Sequence, residues 1–204
     1  MTETEDEINT RANEKSRIRK QARDKMLATK TITKGLVMVH TGKGKGKSTA
    51  AFGLALRAIG QGFKVGVVQF VKGRWESGER EALAKFGDAI TIAVMGEGFT
   101  WETQDRARDI KAAEAAWAAA KEMILAPTPD LVVLDEINIA LRYEYLPVAE
   151  VIATLAKRPA MKHVMLTGRN APQELIEAAD LVTEMTEIKH PFRAGVKAQR
   201  GIEF

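Results

Sequence analysis

A glycine- and lysine-rich segment between two apolar patterns limits what this chain can fold into more than any other feature. It follows a candidate strand at residues 36–40 and leads into an apolar helix pattern at residues 47–59. Glycines let successive backbone N–H groups converge on phosphate oxygens, and the start of the helix adds its positive dipole end. We therefore predict a phosphate-binding loop in which Lys47 supplies a cation and the Ser48 hydroxyl a ligand for Mg²⁺. The loop reads Thr41-Gly42-Lys43-Gly44-Lys45-Gly46-Lys47-Ser48-Thr49.

The first position of this loop departs from the usual spacing of such motifs. Thr41 stands where the pattern G-x-x-x-x-G-K-[ST] has its first glycine, and Gly42 comes one residue later. A surface loop of glycines and lysines is the alternative interpretation, but the position between a strand and a helix favours phosphate binding. Lys43 and Lys45 are either solvated or close enough to contact a polyphosphate, and the sequence leaves both alternatives open.

A second pattern that a nucleotide site requires follows at residues 131–136, where an apolar strand ends in two carboxylates. Phosphate-loop proteins hold Mg²⁺ at this point, so we expect Glu136 or Asp135 to bind the metal directly and the other to support it. An acidic pair at a helix N-terminus is the alternative. Arg57, on the helix after the loop, and Arg169, after the candidate strand at 163–166, are either contacts to phosphate or nucleotide, or surface charges.

The remaining pattern is an alternation of short branched apolar runs with longer helical stretches. It predicts an α/β fold with a mostly parallel β-sheet and helices on both faces. Together with the phosphate loop and the acidic strand end, it indicates the RecA-like P-loop NTPase type. The length of 204 residues suits one such domain, residues 35–204, after an N-terminal arm, residues 1–34. The arm has one thin apolar helical face, formed by Ile18, Ala22 and Met26. It is either a helix that becomes ordered only on a ligand or another subunit, or a solvated and frayed segment. The candidate strands are 36–40, 64–70, 90–94, 131–134, 163–166 and 181–185, and the candidate helices are 47–59, 102–125, 147–156 and 172–179.

Composition and charge narrow the class of protein. The chain has no cysteine, which excludes a disulfide framework and Cys-ligated metal centres and fits a cytoplasmic location. No apolar stretch is long enough to cross a membrane, which takes about 20 residues. The pI is about 9.3, but residues 1–34 hold nine Lys/Arg against six Asp/Glu and the rest of the chain is nearly neutral. We therefore expect neither a nucleic-acid partner nor a membrane partner.

Several blocks of sequence, together with the phosphate loop and the acidic strand end, resemble one enzyme family. The resemblance is to the CobA/CobO/BtuR family of ATP:corrinoid adenosyltransferases, and it covers about residues 15–204 in order. The block at residues 98–104 is the most distinctive. The blocks are Val67-Val68-Gln69-Phe70-Val71-Lys72-Gly73, Gly78-Glu79-Arg80, Gly98-Phe99-Thr100-Trp101-Glu102-Thr103-Gln104, Thr167-Gly168-Arg169 and Gly195-Val196-Lys197-Ala198-Gln199-Arg200-Gly201-Ile202.

The resemblance implies transfer of the 5′-deoxyadenosyl group of ATP to the cobalt of a reduced corrinoid, with triphosphate leaving. Lys47 would then act on the leaving triphosphate. Phe99 and Trp101 match the family's aromatic positions, which crowd the lower face of the corrin and make Co(II) easier to reduce. On local grounds alone a structural alternative stands, in which Thr100 caps the next helix and Phe99 packs against a residue in its first turns. The resemblance also implies Mg²⁺ or Mn²⁺, a reduced flavin or flavoprotein as electron donor, and a homodimer.

Two other functions compete with this interpretation. A RecA-like ATPase acting on nucleic acid or protein would use Glu136 to activate water and would produce ADP and phosphate. A non-catalytic nucleotide switch would change its affinity for a partner and show no dependence on a corrinoid. The products of ATP turnover distinguish these alternatives from adenosyl transfer.

Overall fold

The computed structural model of this chain describes residues 3–71, 78–94 and 105–202. The chain divides into two compact units, Met1–Thr33 and Lys34–Phe204. The first unit contains one helix, α1 (Glu5–Ala28). The Thr4 side chain accepts a hydrogen bond from the backbone N–H of Glu7, and the Glu7 carboxylate accepts one from the N–H of Thr4. This reciprocal capping fixes the start of α1.

Helix α1 buries none of its residues within its own unit. The face predicted to be apolar, with Ile18, Ala22 and Met26, is exposed along its length. In proteins, most of the stability of a helix comes from packing of an amphipathic face. Residues 5–28 are helical, and their own unit provides no surface for the apolar face.

The second unit alternates strands with helices in the described residues. Its strands are β1 (Val37–Thr41), β2 (Val65–Gln69), β3 (Ile90–Val94), β4 (Leu131–Asp135), β5 (His163–Thr167) and β6 (Leu181–Glu184). Its helices are α2 (Lys47–Gly60), α3 (Gly78–Ala84), α4 (Arg106–Leu125), α5 (Ile137–Arg142), α6 (Val148–Ala156) and α7 (Gln173–Ala178), with short 3-10 turns at Gly87–Ala89 and Pro191–Ala194.

The six strands form one sheet in the order β3-β2-β4-β5-β1-β6, and every neighbouring pair is parallel. Strand β5 lies between β1 and β4. Its last residue, Thr167, is paired with His40, and Leu166 is paired with Leu134. Because parallel strands end at the same edge, the loops after β1, β4 and β5 lie together at the carboxyl edge of the sheet.

Helices cover both faces of the sheet. On one face, α2 and α3 pack against the strands through residues such as Phe52 and Leu83. On the other face, α4, α5, α6 and α7 enclose a larger core that includes Trp117, Ile124 and Leu155. This layered arrangement confirms the predicted α/β class with helices on both faces, and the sheet is fully parallel in the described residues.

The structure extends three of the predicted strands by one polar residue at the carboxyl end. Thr41, Asp135 and Thr167 are the last residues of β1, β4 and β5, and each is less than 9% exposed. An apolar run marks only the interior of a strand. A buried polar residue at the end of the strand is therefore not recognised from the apolar pattern. These three residues all lie at the edge where the phosphate loop begins.

Two short helices, α3 and α5, were not predicted from the sequence. Both have seven residues or fewer, which is too short for a clear helical period. Prolines 147 and 172 precede α6 and α7 as cap residues and do not occupy the first helical turn. Within the described ranges, none of the helices combines the length and apolar character needed to span a bilayer.

Candidate active site

The phosphate loop connects β1 to α2 and turns through two left-handed glycines. Gly42 has φ 96° and Gly46 has φ 99°, a region that side chains strongly disfavour. Gly46 is the cap residue of α2, so Lys47 and Ser48 open the helix. The loop geometry therefore directs the positive end of α2 towards the space that the loop encloses. The departure at Thr41 does not prevent this turn, because Gly42 supplies the left-handed conformation.

Lys47 is only 6% exposed, and its ammonium group is bonded to the loop itself. It donates to the carbonyl oxygens of Gly42, at 2.9 Å, and Gly44. Burial lowers the pKa of Lys47; Glu136 opposes this shift, and Arg169 adds to it. An ammonium group has three N–H bonds, so one more bond to a phosphate oxygen is compatible with both loop contacts.

The far side of the loop rests on the segment that follows β6. The N–H of Gly44 donates to the carbonyl oxygen of Met185 at 2.7 Å. A Cβ at Gly42 would lie 2.4 Å from the Met185 oxygen, and one at Gly44 would lie 2.6 Å from the Thr186 oxygen. These contacts need glycine at both positions, so the loop glycines serve packing as well as turning.

The other loop residues differ in exposure and partners. Thr41 is buried, and its hydroxyl accepts a hydrogen bond from the N–H of Ala171. Ser48 is half-buried, at the first turn of α2. Lys43, Lys45, Gly46 and Thr49 are exposed. The loop thus presents Ser48 and Lys47 at the start of the helix, while Lys43 and Lys45 lie on its outer surface.

Asp135 is held by side chains from two neighbouring strands. Its Oδ1 accepts from the hydroxyl of Thr167 at 2.8 Å, and its Oδ2 accepts from the side-chain amide of Gln69 at 3.3 Å. Asp135 is 5% exposed. Both carboxylate oxygens are therefore engaged within the protein, which suits a supporting carboxylate better than a direct metal ligand.

Glu136 is placed differently from its neighbour. It adopts a left-handed conformation (φ 62°, ψ 19°) that is rare for a residue with a side chain. Its Oε2 is buried without a hydrogen-bond partner in the described part of the chain. Burial raises the pKa of Glu136 to about 7, the charge of Asp135 adds to this, and Lys47 and Arg169 oppose it. A buried carboxylate with an unpartnered oxygen is a natural ligand for a hard cation.

The two candidate arginines lie in different places. Arg169 is exposed, directly after Gly168, and its charge acts on both Lys47 and Glu136. Arg57 is also exposed, but it lies in the last turn of α2. Ten residues of helix separate Arg57 from Lys47, a distance of about 15 Å along the axis. The structure brings Arg169 to the loop and does not bring Arg57 there. Phe99 and Trp101 lie outside the described residues.

Three polar residues of this site were given no role by the sequence. Thr167 bonds to Asp135 and also accepts from the N–H of Glu136 at 2.9 Å. Gln69 is the second partner of Asp135. Asn138 is fully buried and donates to the carbonyl oxygens of His40 and Gly168. The sequence signal that could have identified them is their position: Gln69 and Thr167 end apolar strands, and Asn138 follows the acidic pair.

Comparison with known proteins places this chain in a family. The profile of the family described as ATP:corrinoid adenosyltransferase BtuR/CobO/CobP matches residues 33–204. A corrinoid adenosyltransferase from a Sinorhizobium species is 60% identical over 91% of this chain and 88% of its own length. The Pseudomonas aeruginosa corrinoid adenosyltransferase is 51% identical over 97% of this chain and 98% of its own. Corrinoid adenosyltransferase CobA of Salmonella typhimurium is 48% identical over 89% of this chain and 91% of its own.

A solved structure supports the architecture independently. The crystal structure of flagellar accessory protein FlaH from Methanocaldococcus jannaschii aligns with a TM-score of 0.50, over 76% of this chain and 73% of that one. The two sequences are 13% identical, so this likeness concerns the fold alone. The family match over residues 33–204 and the relatives at 48–60% identity, in contrast, show that the chain belongs to the family of ATP:corrinoid adenosyltransferases BtuR/CobO/CobP.

Proposed function

We propose that this site transfers the 5′-deoxyadenosyl group of ATP to the Co(I) centre of a reduced corrinoid and releases triphosphate. Adenosyl transfer from ATP to a corrinoid is the reaction of the family to which the chain belongs. The observation that carries the proposal is the placement of buried Lys47 and of Glu136, with its unpartnered oxygen, at one edge of the sheet. There the charge of Glu136 acts on Lys47, which belongs to the loop that would hold a triphosphate.

The reaction needs charge stabilisation at the leaving group more than it needs proton transfer. The cobalt electron pair forms the Co–C bond, the C5′–O bond breaks, and its electron pair leaves with the triphosphate. The N–H groups of the loop, Lys47 and Arg169 would stabilise the charge that develops there. Co(I) carries no proton, so no general base is required. His163, at the amino end of β5, stacks on Phe63 and lies at the opposite edge of the sheet from the loop.

The donor set at the carboxylate end fits Mg²⁺, or Mn²⁺ in its place. The described residues contain no cluster of three or more His, Cys, Asp or Glu side chains that would form an all-protein metal cage. Mg²⁺ is commonly bound by one or two carboxylates together with substrate phosphates. Glu136 and the Ser48 hydroxyl would hold the ion, with Asp135 supporting Glu136. The ion would neutralise phosphate charge as the triphosphate leaves.

The proposal extends to the corrinoid side of the reaction on the strength of the family resemblance. Phe99 and Trp101 would crowd the lower face of the corrin, and a reduced flavin or flavoprotein would supply the electron. Alanine at either position should impair activity with a flavin reductant and preserve much of it with chemically prepared Co(I) corrinoid. Equal impairment with both cobalt sources would contradict a role in Co(II) reduction.

The arm, the assembly state and the location are part of the same proposal. Helix α1 would cover bound corrinoid, because it has an exposed apolar face and no buried residue within its own unit. Deleting residues 1–30 should raise the corrinoid KM more than the ATP KM. The protein would act as a homodimer in the cytoplasm, which is supported by the family resemblance and the absence of cysteine.

Product analysis tests the central proposal. The enzyme is incubated with ATP, Mg²⁺ and chemically prepared Co(I) corrinoid, and the adenosylated corrinoid and triphosphate are quantified. We expect equal amounts of the two products, with no ADP. The Lys47→Ala variant is the control for non-enzymatic transfer. ADP and phosphate formed without dependence on corrinoid would support the RecA-like ATPase instead.

A further inference from the structure

The hydroxyl of Thr167 connects both carboxylates of the site. Thr167 is the last residue of β5, is fully buried, and lies between the strands that carry the phosphate loop and the acidic pair. Its oxygen accepts from the N–H of Glu136 at 2.9 Å. A hydroxyl has one proton to donate, and here the acceptor is Oδ1 of Asp135 at 2.8 Å. One side chain thus bonds to the backbone of one acidic residue and the carboxylate of the other.

These bonds give the two carboxylates different orientations. Asp135 is turned towards Thr167 and Gln69, which engage both of its oxygens. Glu136 is bound through its backbone N–H, so its carboxylate takes no part in the contact with Thr167 and keeps Oε2 without a partner among the described residues. The left-handed conformation of Glu136 is strained for a residue with a side chain, and the bond from its N–H to Thr167 helps to hold it.

The residue after Thr167 completes the arrangement. Gly168 has φ 129°, and a Cβ there would lie 3.1 Å from Oε2 of Glu136 and 2.9 Å from Cβ of Asn138. The side chains of Glu136 and Asn138 therefore pack directly against the Gly168 backbone. Asn138 reinforces this contact by donating to the Gly168 carbonyl oxygen at 3.0 Å. The hydroxyl of Thr167 and the missing side chain of Gly168 together define where the Glu136 carboxylate lies.

We propose that Thr167 is a positioning residue that makes Glu136 the direct metal ligand and Asp135 its support. The inference rests on the proposed function, because it assumes that Glu136 binds the metal carried with ATP. Removing the hydroxyl would leave the N–H of Glu136 and Oδ1 of Asp135 without their present partner. Both carboxylates would then lose the restraint that separates their roles, and the metal-dependent part of ATP binding would weaken.

The test measures ATP affinity with and without the metal, by isothermal titration calorimetry in Mg²⁺ and in EDTA. Thr167→Val removes the hydroxyl and keeps the branched shape that β5 packs. Changes in residues that support a metal ligand commonly cost about 10–100-fold in metal affinity. In Thr167→Val, the increase in ATP affinity that Mg²⁺ produces should be at least about tenfold smaller than in the wild type. The affinity for ATP in EDTA should stay the same. Thr167→Ser retains the hydroxyl and should restore most of the gain.

A matched control separates positioning from general packing. Thr154 in α6 is also buried, at 4% exposure, and it lies outside the site. Thr154→Val should leave the Mg²⁺ dependence of ATP binding unchanged. Should Thr167→Val fail to fold, Thr167→Ala provides the same loss of hydroxyl with less bulk. The half-saturating Mg²⁺ concentration for adenosyl transfer is the second measurement, and it should rise in Thr167→Val and Thr167→Ala but not in Thr167→Ser or Thr154→Val.

Glu136→Gln distinguishes failure of this inference from failure of the proposed function. If Glu136→Gln loses the Mg²⁺-dependent affinity and folded Thr167→Val keeps it, the positioning role of Thr167 is wrong and the metal assignment stands. If Glu136→Gln keeps the full gain, Glu136 is not the ligand and the role of Thr167 is overturned with it. Equal loss of affinity in Mg²⁺ and in EDTA for Thr167→Val would indicate a structural role only.

Discussion

The phosphate loop and the acidic pair lie at the same edge of the sheet, but they are built in opposite ways. The loop is made of consecutive residues, and its working groups are backbone N–H groups and the cations of one short segment. The acidic pair depends on partners that are distant in sequence. Thr167 is 31 residues from Glu136, and Gln69 is 66 residues from Asp135. The phosphate-facing groups of the loop thus belong to one short segment, whereas the geometry of the acidic pair is set by side chains on two other strands.

This difference determines how each half of the site responds to change. In the loop, the backbone path comes first, and glycines at 42 and 44 are required because main-chain atoms of the segment after β6 lie where a side chain would be. In the acidic pair, side-chain hydrogen bonds decide which oxygen remains available. Substitutions in the loop should therefore act on phosphate binding, and substitutions around the acidic pair should act on the metal and on the charge of Glu136.

The largest effect is expected for Lys47→Ala. Removing a preorganised charge from the leaving group commonly costs about 100-fold or more in rate, or about 3 kcal/mol. The variant should remain folded, because the hydrogen bonds that Lys47 makes among the described residues go to carbonyl oxygens of its own loop. Turnover with Co(I) corrinoid and thermal unfolding measure the two properties. Arg57→Ala, in the last turn of the same helix, is the control and should change turnover by less than about twofold. A near-normal rate for Lys47→Ala would refute the phosphate-loop assignment.

The charge of Glu136 should make the metal-free protein less stable as the pH rises. Its pKa is raised to about 7 in the folded state, so the folded protein binds a proton that the unfolded chain releases near pH 4.5. The contribution of protonated Glu136 to the free energy of unfolding is fully present below pH 4.5. It is lost as the pH rises through 7, and for this pKa shift the loss is roughly 3 kcal/mol. Denaturant unfolding in EDTA at several pH values, compared between wild type and Glu136→Gln, isolates this contribution. Identical pH profiles of the two proteins would contradict the burial of an ionisable Glu136.

Glu136→Gln should also change the metal requirement of the reaction. The amide keeps the shape of the side chain and removes the charge that attracts Mg²⁺, so the half-saturating Mg²⁺ concentration should rise about 10-fold or more. Adenosyl transfer measured over a Mg²⁺ series at saturating ATP gives this value. Asp135→Asn is the informative companion, because Asp135 already has both oxygens engaged, and it should have a smaller effect. A larger effect for Asp135→Asn would reverse the assigned roles.

A smaller effect is expected for Gly44→Ala. The new Cβ would lie 2.6 Å from the Thr186 carbonyl oxygen, so the loop or the segment after β6 must move. We expect ATP to bind about 10-fold more weakly both with and without Mg²⁺, because the change displaces the backbone N–H groups of the loop rather than a metal ligand. Gly53→Ala in α2 is the control, because a Cβ there has no neighbour within 4 Å. Unchanged ATP affinity for Gly44→Ala would show that the loop tolerates this movement.

The sequence predicted the parts of this molecule that are encoded locally. The phosphate loop, the sheet strands and the long helices α2 and α4 each have a pattern within a few consecutive turns of chain. The strand order is not encoded in this way, because the placement of β5 between β1 and β4 depends on packing over the whole sheet. The family resemblance supplied the reaction, which neither the loop nor the acidic pair specifies.

The parts that the sequence did not predict have physical reasons. Thr167 was visible only as a residue of a family motif, since its role depends on a neighbouring strand that ends beside it. The left-handed backbone of Glu136 has no sequence signal, because glycine or asparagine is the usual indication of that conformation. Arg57 was considered for the site because it lies on the phosphate-loop helix. A helix extends about 1.5 Å per residue, so sharing a helix does not imply sharing a site.

The contact between the phosphate loop and the segment after β6 couples the stability of these two regions. Strand β6 is at the edge of the sheet, and all four of its residues are exposed, so it belongs to the parts of a fold that open most readily. When β6 opens, the N–H of Gly44 loses its acceptor at Met185. Hydrogen exchange at the Gly44 amide therefore reports the opening of a strand about 140 residues later in the chain. By linkage, a ligand that stabilises the loop contact with Met185 should also slow hydrogen exchange along β6, by an amount set by the same coupling free energy.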